Sequence, residues 1–386
     1  MTVSLWQDTA AWPAEMRHRN EDADICIIGG GIVGATLATL FNEAGKSVIV
    51  LEAGTVGGGA SGRNAGHCIA GLRNNYHLAV ERLGRVAARD LRRLLLDNRD
   101  MVQRWCDQLQ VPYERNGSQY LGINPAEADT LRASAAALQA DGSDVEYSER
   151  DPFERGFFGH LYQPGDIGLQ PYLLVTRLMA SSGAQVIENS EVRAIEQIGE
   201  RVVVRSRFAT VACKQAVLAT NAYSRALHPY FRDKVFPTRA QMYATEPSDA
   251  PRLITMPTGT EDGFEYFRQL SDGRFIIGGY RDRFIEEEVG LGDETTPHLQ
   301  AGMQAWVAER FPEIAQLRVT HRWAGIMGFT PDALPLIGSL PDMSRVYFAV
   351  GFTGSGMSFG PVTARLTAEF VLSGAHPGLF HAERLH

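Results

Sequence analysis

Asp24-Ile25-Cys26-Ile27-Ile28-Gly29-Gly30-Gly31-Ile32-Val33-Gly34 is the stretch that decides the fold. The short apolar run up to Ile28 reads as a buried strand. The glycines follow at once. From Ile32 to Phe41, apolar residues at 32, 33, 37, 40 and 41 keep helical spacing. Gly45-Lys46 then turns the chain into a second strand, Ser47 to Leu51, which ends at Glu52 and Ala53. This is one βαβ unit with GxGxxG at Gly29, Gly31 and Gly34. Its acid stands 21 residues after Gly31, where a ribose-binding carboxylate is expected. Gly29 permits the tight turn, Gly31 lets a pyrophosphate approach the backbone, and Gly34 lets helix pack on strand. Ile32 and Val33 open a helix whose free N–H groups and positive dipole end suit phosphates. The unit predicts dinucleotide binding and does not choose between NAD and FAD.

Two glycine-rich loops extend the reading. Gly57 to His67 follows the second strand within a few residues and holds five glycines (57, 58, 59, 62 and 66). Such a loop allows close backbone approach to a ligand, and Ser61, Arg63 and Asn64 would supply donors. A plain surface loop is the alternative. Far downstream, Arg345 to Val350 reads as a strand, followed by Gly351-Phe352-Thr353-Gly354-Ser355-Gly356-Met357 and a helical pattern through Phe370. Its helix N-terminus would stabilise negative charge on a ligand ring.

Composition narrows the class. The chain has 386 residues, 44% hydrophobic and 21% charged, so two or three units of ~150 residues are expected. No stretch approaches the ~18 apolar residues of a membrane span, and Met1 to Asp24 holds no secretory h-region. Cys26, Cys68, Cys106 and Cys213 are scattered without a CxxC, which fits a reducing cytoplasm and argues against a metal site. A net charge of -8 argues against nucleic-acid binding. Lysine chemistry has three candidates only, Lys46, Lys214 and Lys234.

The strings "DxCIIGGGIVG", "VIVLEA", "GGGASGRNAGH" and "GFTGSGM" together resemble the D-amino-acid-oxidase-like superfamily of FAD-dependent oxidoreductases. GASGRNAG looks most like its gamma-glutamylputrescine oxidoreductase-like branch, which is related to glycine and sarcosine oxidases. The resemblance covers nearly the whole chain, including LWQDTAAWP at the N-terminus. It implies an α/β (α+β) fold of the glutathione-reductase-like type 2: a Rossmann-type FAD-binding domain interleaved with a smaller antiparallel-sheet substrate domain. Residues 22–95, 150–228 and 325–386 would form the first, 96–149 and 229–324 the second, and 1–21 an N-terminal extension. By the same resemblance Glu52 binds the adenosine ribose, and Ser61, Gly62, Arg63, Asn64, Ala65, Gly66 and His67 run under the flavin. Val192 would touch the adenine side, Thr220 and Asn221 would flank the dinucleotide, and Gly351 to Met357 would hold the pyrimidine ring.

Departures from relatives carry information. Monomeric sarcosine oxidases resemble this chain but bear a flavin-bound cysteine where Gly325 stands, so FAD is expected to be non-covalent. Glycine oxidase and D-amino-acid dehydrogenase place a carboxylate-gripping arginine where this chain has Met327. An α-carboxylate would then need Arg268, Arg322 or Arg73; the simpler expectation is an amine, or an acid whose carboxylate lies farther from the reacting carbon. The lysine that helps oxygen react is missing from Phe275 to Tyr280, so O2 or another electron acceptor stays open. His67, Tyr266, Arg268, Trp323 and Met327 are the candidate substrate-pocket residues, with Tyr243 and Phe352 as further wall. On the strand Phe264 to Arg268, Tyr266 and Arg268 share a face. The region Ala79 to Leu109, with seven arginines and five acids, reads as a solvated, salt-laced helical face.

The implied chemistry is hydride transfer from a C–N carbon to the flavin, followed by imine hydrolysis. An apolar, aromatic pocket favours the neutral amine it requires. Alternatives are a dehydrogenase subunit that feeds a partner protein or quinone, a D-amino-acid or glycine-type oxidase, and a structural flavin. Self-association is left open.

Overall fold

In the computed structural model the described residues are 4–8, 19–71, 75–260 and 263–385. The apolar run at the decisive stretch lies in the strand Arg19–Ile28, between Ala209–Leu218 and Val48–Leu51 and parallel to both. It starts earlier than its apolar residues because Arg19 to Ala23 pair with Ala209 to Cys213. The helix Ile32–Glu43 packs on this sheet, as its spacing predicts. Outward from the centre lie Gln185–Ile187 on one side and Arg201–Ser206 and Val192–Ile198 on the other. The strand Ala209–Leu218 also pairs, through Ala216 to Leu218, with Met343–Val350. One face buries its apolar side chains under Ile32–Glu43, Arg85–Gln108, Pro171–Ser181 and Gly356–Ser373.

The second eight-stranded sheet runs in the order Val319–Phe329, Phe236–Thr245, Phe275–Gly278, Glu265–Gln269, Thr258–Thr260, Ser118–Leu121, His160–Gln163 and Glu146–Ser148. All its pairings are antiparallel except that of Thr258–Thr260 with Ser118–Leu121. Because side chains alternate along a strand, one face carries Tyr243, Phe267, Phe275 and Ile277, packed on the helix Pro297–Arg310. The other face carries Met327, Gly325, Trp323, Met242, Gly278, Tyr266 and Tyr120 and turns toward the glycine loops.

Three readings need correction. The boundaries at 22, 96 and 325 fall inside continuous elements, the strand Arg19–Ile28, the helix Arg85–Gln108 and the strand Val319–Phe329, the last paired along its length with Phe236–Thr245. His160–Gln163 joins the second sheet by pairing with Ser118–Leu121, although 150–228 was assigned to the cofactor side. The helical region 79–109 is two helices, Tyr76–Leu83 and Arg85–Gln108, broken at Gly84, whose φ is +80°. Nor is it all solvated: Arg92 is buried beside Ala88, Leu91 and Leu95.

Candidate active site

The first glycine turn is built by exclusion of side chains. A Cβ at Gly34 would fall on the Gly29 carbonyl oxygen, and one at Gly31 would lie 2.8 Å from Ser61 Oγ. Ser61 Oγ instead accepts a hydrogen bond from the Ile32 N–H, at 3.0 Å. Gly31 has no side chain to cap the helix and Ser61 takes only its first N–H, so the dipole end stays available to an anion. Glu52 closes the turn. It accepts from Gly30 N–H at 2.6 Å and Gly54 N–H at 2.8 Å. Burial pushes its carboxyl above the ordinary range, against the pull of those bonds. Two oxygens hold about four acceptor sites, so capacity remains for a ribose hydroxyl. Ala53 is exposed beside it, and Ile32 and Val33 are buried.

The second glycine loop departs from its reading as a set of donors. Arg63 is 7% exposed and donates from Nε to Gly58 O and from Nη1 to Ala324 O. Asn64 donates to Ala60 O and Ser61 O and accepts from Gly66 N–H. Both side chains hold the loop's own shape and tie it to the second sheet. Residues 4–8 of the N-terminal extension are docked on the same loop. Ser4 Oγ donates to Gly62 O at 2.7 Å, Trp6 Nε1 to Asn64 O at 2.7 Å, and Gln7 Nε2 to Gly58 O at 3.0 Å. Asp8 reaches His321 of the second sheet at 3.1 Å.

The C-terminal loop closes from the other side. Thr353 (φ +48°) and Gly354 (φ +84°) are left-handed, and Thr353 N–H donates to Gly328 O. Asn221 Oδ1 accepts from Gly351 N–H at 3.0 Å, and Thr220 bonds Ser224. Ser355 starts the helix Gly356–Ser373 without a side-chain cap. Phe352 and Met357 pack into the core under the first sheet, so Phe352 is no pocket wall. Val192 is buried at the start of its strand, two residues after Ser190, whose N–H donates to Glu52 O at 2.7 Å, so it lies on the Glu52 side of the site.

The substrate-pocket candidates divide. Tyr266, Met327, Gly325 and His67 are partly exposed on facing surfaces. His67 meets Tyr266 edge-on, ring centres 6.4 Å apart, and Met327 lies against the Gly354 turn. Trp323 is fully buried and donates to Arg63 O at 2.8 Å. It is a strut between sheet and loop, not a wall. Arg268 is buried on the expected face, but its guanidinium donates to Ala65 O and Leu169 O and lies where Gly168 has no side chain. Burial pulls it down to about 10, so it stays charged at neutral pH. Tyr243 and Arg322 face the helix Pro297–Arg310, where Arg322 bonds Gln300 and Gln304. They are excluded. Arg73 lies outside the described residues. Alternation along strands made Tyr266 and Met327 legible; nothing local announced that Arg63, Asn64 and Arg268 spend their donors on backbone carbonyls.

The residues present fit a flavin dinucleotide. Two helices begin without an N-cap side chain of their own, Glu52 ends the second strand, and Gly29 and Gly34 admit no Cβ. His67 Nε2 is buried with no hydrogen-bond partner among the described residues, as expected where a ligand completes the site. Fold and site together define a dinucleotide-binding oxidoreductase of mixed α/β architecture. Residues 24–370 match the model of the DAO family, FAD dependent oxidoreductase, and the chain belongs to that family. FAD is its cofactor. It is 25% identical over 373 residues to a probable oxidoreductase, OrdL, of Haemophilus influenzae, covering 91% of this chain and 83% of that one. It is 24% identical over 376 residues to gamma-glutamylputrescine oxidoreductase of Escherichia coli, covering 93% and 86%. The crystal structure of glycine oxidase from Geobacillus kaustophilus superposes with a TM-score of 0.79 at 22% identity, covering 91% and 95%.

Proposed function

We propose that the chain oxidises the C–N bond of an amine, or of an amino acid whose carboxylate lies away from the reacting carbon. Met327 carries the reading. It occupies the sheet position facing the C-terminal loop with a side chain that cannot pair a carboxylate, while nearby Arg268 is engaged by carbonyls. The relatives, gamma-glutamylputrescine oxidoreductase and glycine oxidase among them, support C–N bond oxidation as the reaction.

Bound FAD would supply the two-electron acceptor. The protein's own residues set the rest. Ser61 and Glu52 fix the phosphate and ribose end. His67, Tyr266 and Met327 line the cleft where substrate lies. The buried charge of Arg268 disfavours a second positive charge nearby; it helps hold the His67 imidazole well below its ordinary pKa, after burial itself. The same field favours the neutral amine, which can give up its C–H with the electron pair. The imine product takes up water to yield a carbonyl compound and the released amine. No cysteine stands at Gly325, so the flavin is held without a covalent bond there. The four cysteines are free, which supports a reducing compartment, the cytoplasm. Among the described residues no helix is long and apolar enough to cross a membrane.

The test is anaerobic flavin absorbance with polyamines, glutamylated amines, N-methyl amino acids and α-amino acids in turn. Bleaching by amines supports the reading, and recovery in air separates oxidase from dehydrogenase. Bleaching by none, or only by acids with a free α-carboxylate, overturns it.

A further inference from the structure

Beyond the cleft, the loop-facing side of the second sheet continues to a partly open cavity. Its empty volume is about 370 Å³, counting the space at its mouth. Arg92, Gln163, Ser134 and Tyr120 supply its polar lining, Leu138 and Leu161 its apolar wall. The cavity shares a surface with the reaction cleft. Tyr266, Gly259, Tyr120 and Leu161 are register neighbours on successive strands, so they lie on one face. The segment from His67 to Gly71 spans the same interval: His67 meets Tyr266, and Gly71 lies against Gln163 and Tyr120.

Arg92 sets the chemistry. It is 9% exposed. Its Nη1 donates to Ala70 O and to Gln163 Oε1, both neutral acceptors. Its Nε is buried with no partner among the described residues. The nearby carboxylate, Asp166, is occupied elsewhere: it accepts from Ala70 N–H and Ser118 Oγ and pairs with Arg99 at 3.5 Å. Arg92 and Arg99 thus share the single buried charge of Asp166, and a buried guanidinium with an idle donor and only half a counter-charge is a costly arrangement unless an anion meets it.

We propose that this cavity is a subsite for the distal carboxylate of a long amine substrate, with Arg92 as its partner. The proposal rests on the amine-oxidation reading. It turns the negative statement about Met327 into a positive one, since the carboxylate missing from the reacting end would sit here. Tyr266 and Tyr120 stand two strand spacings apart, roughly 10 Å. At about 1.2 Å per bond of extended chain, roughly eight bonds separate the oxidised carbon from the carboxylate. Tyr120 and Leu161 would pack along the intervening chain.

The test uses the holoenzyme with ω-amino acids of four to ten carbons, the primary amide of each, and anaerobic flavin reduction as readout. The expected result is a kcat/KM that climbs with length and peaks for the longer acids, with each long acid at least ten-fold better than its amide. In Arg92→Met, loaded with flavin, that acid-to-amide ratio falls to near one; Arg92→Lys keeps part of it. A flat length profile, or acids no better than amides, overturns the subsite in the wild-type protein alone, so the result stands even where a variant fails to fold. A ratio unchanged in Arg92→Met also overturns it and leaves Arg92 as a brace for Ala70 and Gln163. Amines oxidised without carboxylate preference remove this inference only; no bleaching by any amine removes the functional reading with it.

Discussion

At the scale of single residues, Met327 and His67 make opposite kinds of statement. Met327 speaks through what it cannot do. Replacing it by arginine would put a bidentate carboxylate partner opposite the Gly354 turn. Met327→Arg is expected to raise kcat/KM for glycine or a D-amino acid by ten-fold or more relative to a simple amine. A ratio that does not move would show that position 327 is packing only. His67 speaks through its environment. Burial first, then Arg268, holds its imidazole well below the ordinary value. The folded state therefore refuses a proton that the unfolded chain accepts. Stability is intact above the unfolded pKa and is lost as the pH falls below about 6.5. His67→Asn removes that acid-side penalty, so its Tm should fall less than the wild type's between neutral and mildly acid pH; parallel curves would contradict the assignment. Legibility differed in the same way. The glycines and Glu52 have roles fixed by backbone geometry, and backbone geometry is written in local order. Whether Arg63 or Arg268 points at a ligand or at a carbonyl depends on a partner two hundred or more residues away, and no local pattern carries that.

Among elements, the short N-terminal helix is the one whose size least reveals its weight. Leu5–Asp8 is a single turn, yet three of its neighbourhood's side chains hold the loop from Gly58 to Asn64. Trp6 is 4% exposed and its ring lies 6.0 Å from the Arg268 guanidinium. Trp6→Ala removes a buried ring and one donor, a loss of roughly 3–5 kcal/mol. That loss is local to the loop that carries Ser61. The variant is expected to keep its fold and release flavin more readily, with a dissociation constant raised at least ten-fold in a fluorescence titration. Tight flavin with a large drop in Tm would instead make the segment a general brace. The βαβ unit and the hairpin Glu265–Gln269 to Phe275–Gly278 were legible because their signals are local. The long helix misled because ten of its 24 residues are charged. The signal was there in spacing: Arg92 shares the stripe of Ala88, Leu91, Leu95 and Val102, a charged residue at an inward position.

Among the described residues, two eight-stranded sheets and a three-stranded sheet of His67–Cys68, Ile167–Leu169 and Tyr113–Glu114 are tied together by side chains that reach from one to another. Arg268 is the clearest of them. It reaches from the second sheet to Ala65 and Leu169. Arg268→Met strips buried carbonyls of their donor at about 1–3 kcal/mol each. A lower Tm with flavin release at the same temperature is expected. An unchanged Tm with a raised KM would return Arg268 to the substrate side.

The strand Ala209–Leu218 has an implication for how the protein is made. Besides its neighbour Arg201–Ser206, its partners are Arg19–Ile28 and Met343–Val350, each more than a hundred residues away. The loop from Gly351 to Met357 follows that last partner directly. Contacts so far apart in sequence form slowly, because loop closure precedes any reward. A nascent chain on the ribosome thus carries the phosphate-binding turn long before it owns the other half of the cradle. The two glycine turns meet only after residue 357 has emerged, so a ligand that spans both is captured no earlier than that.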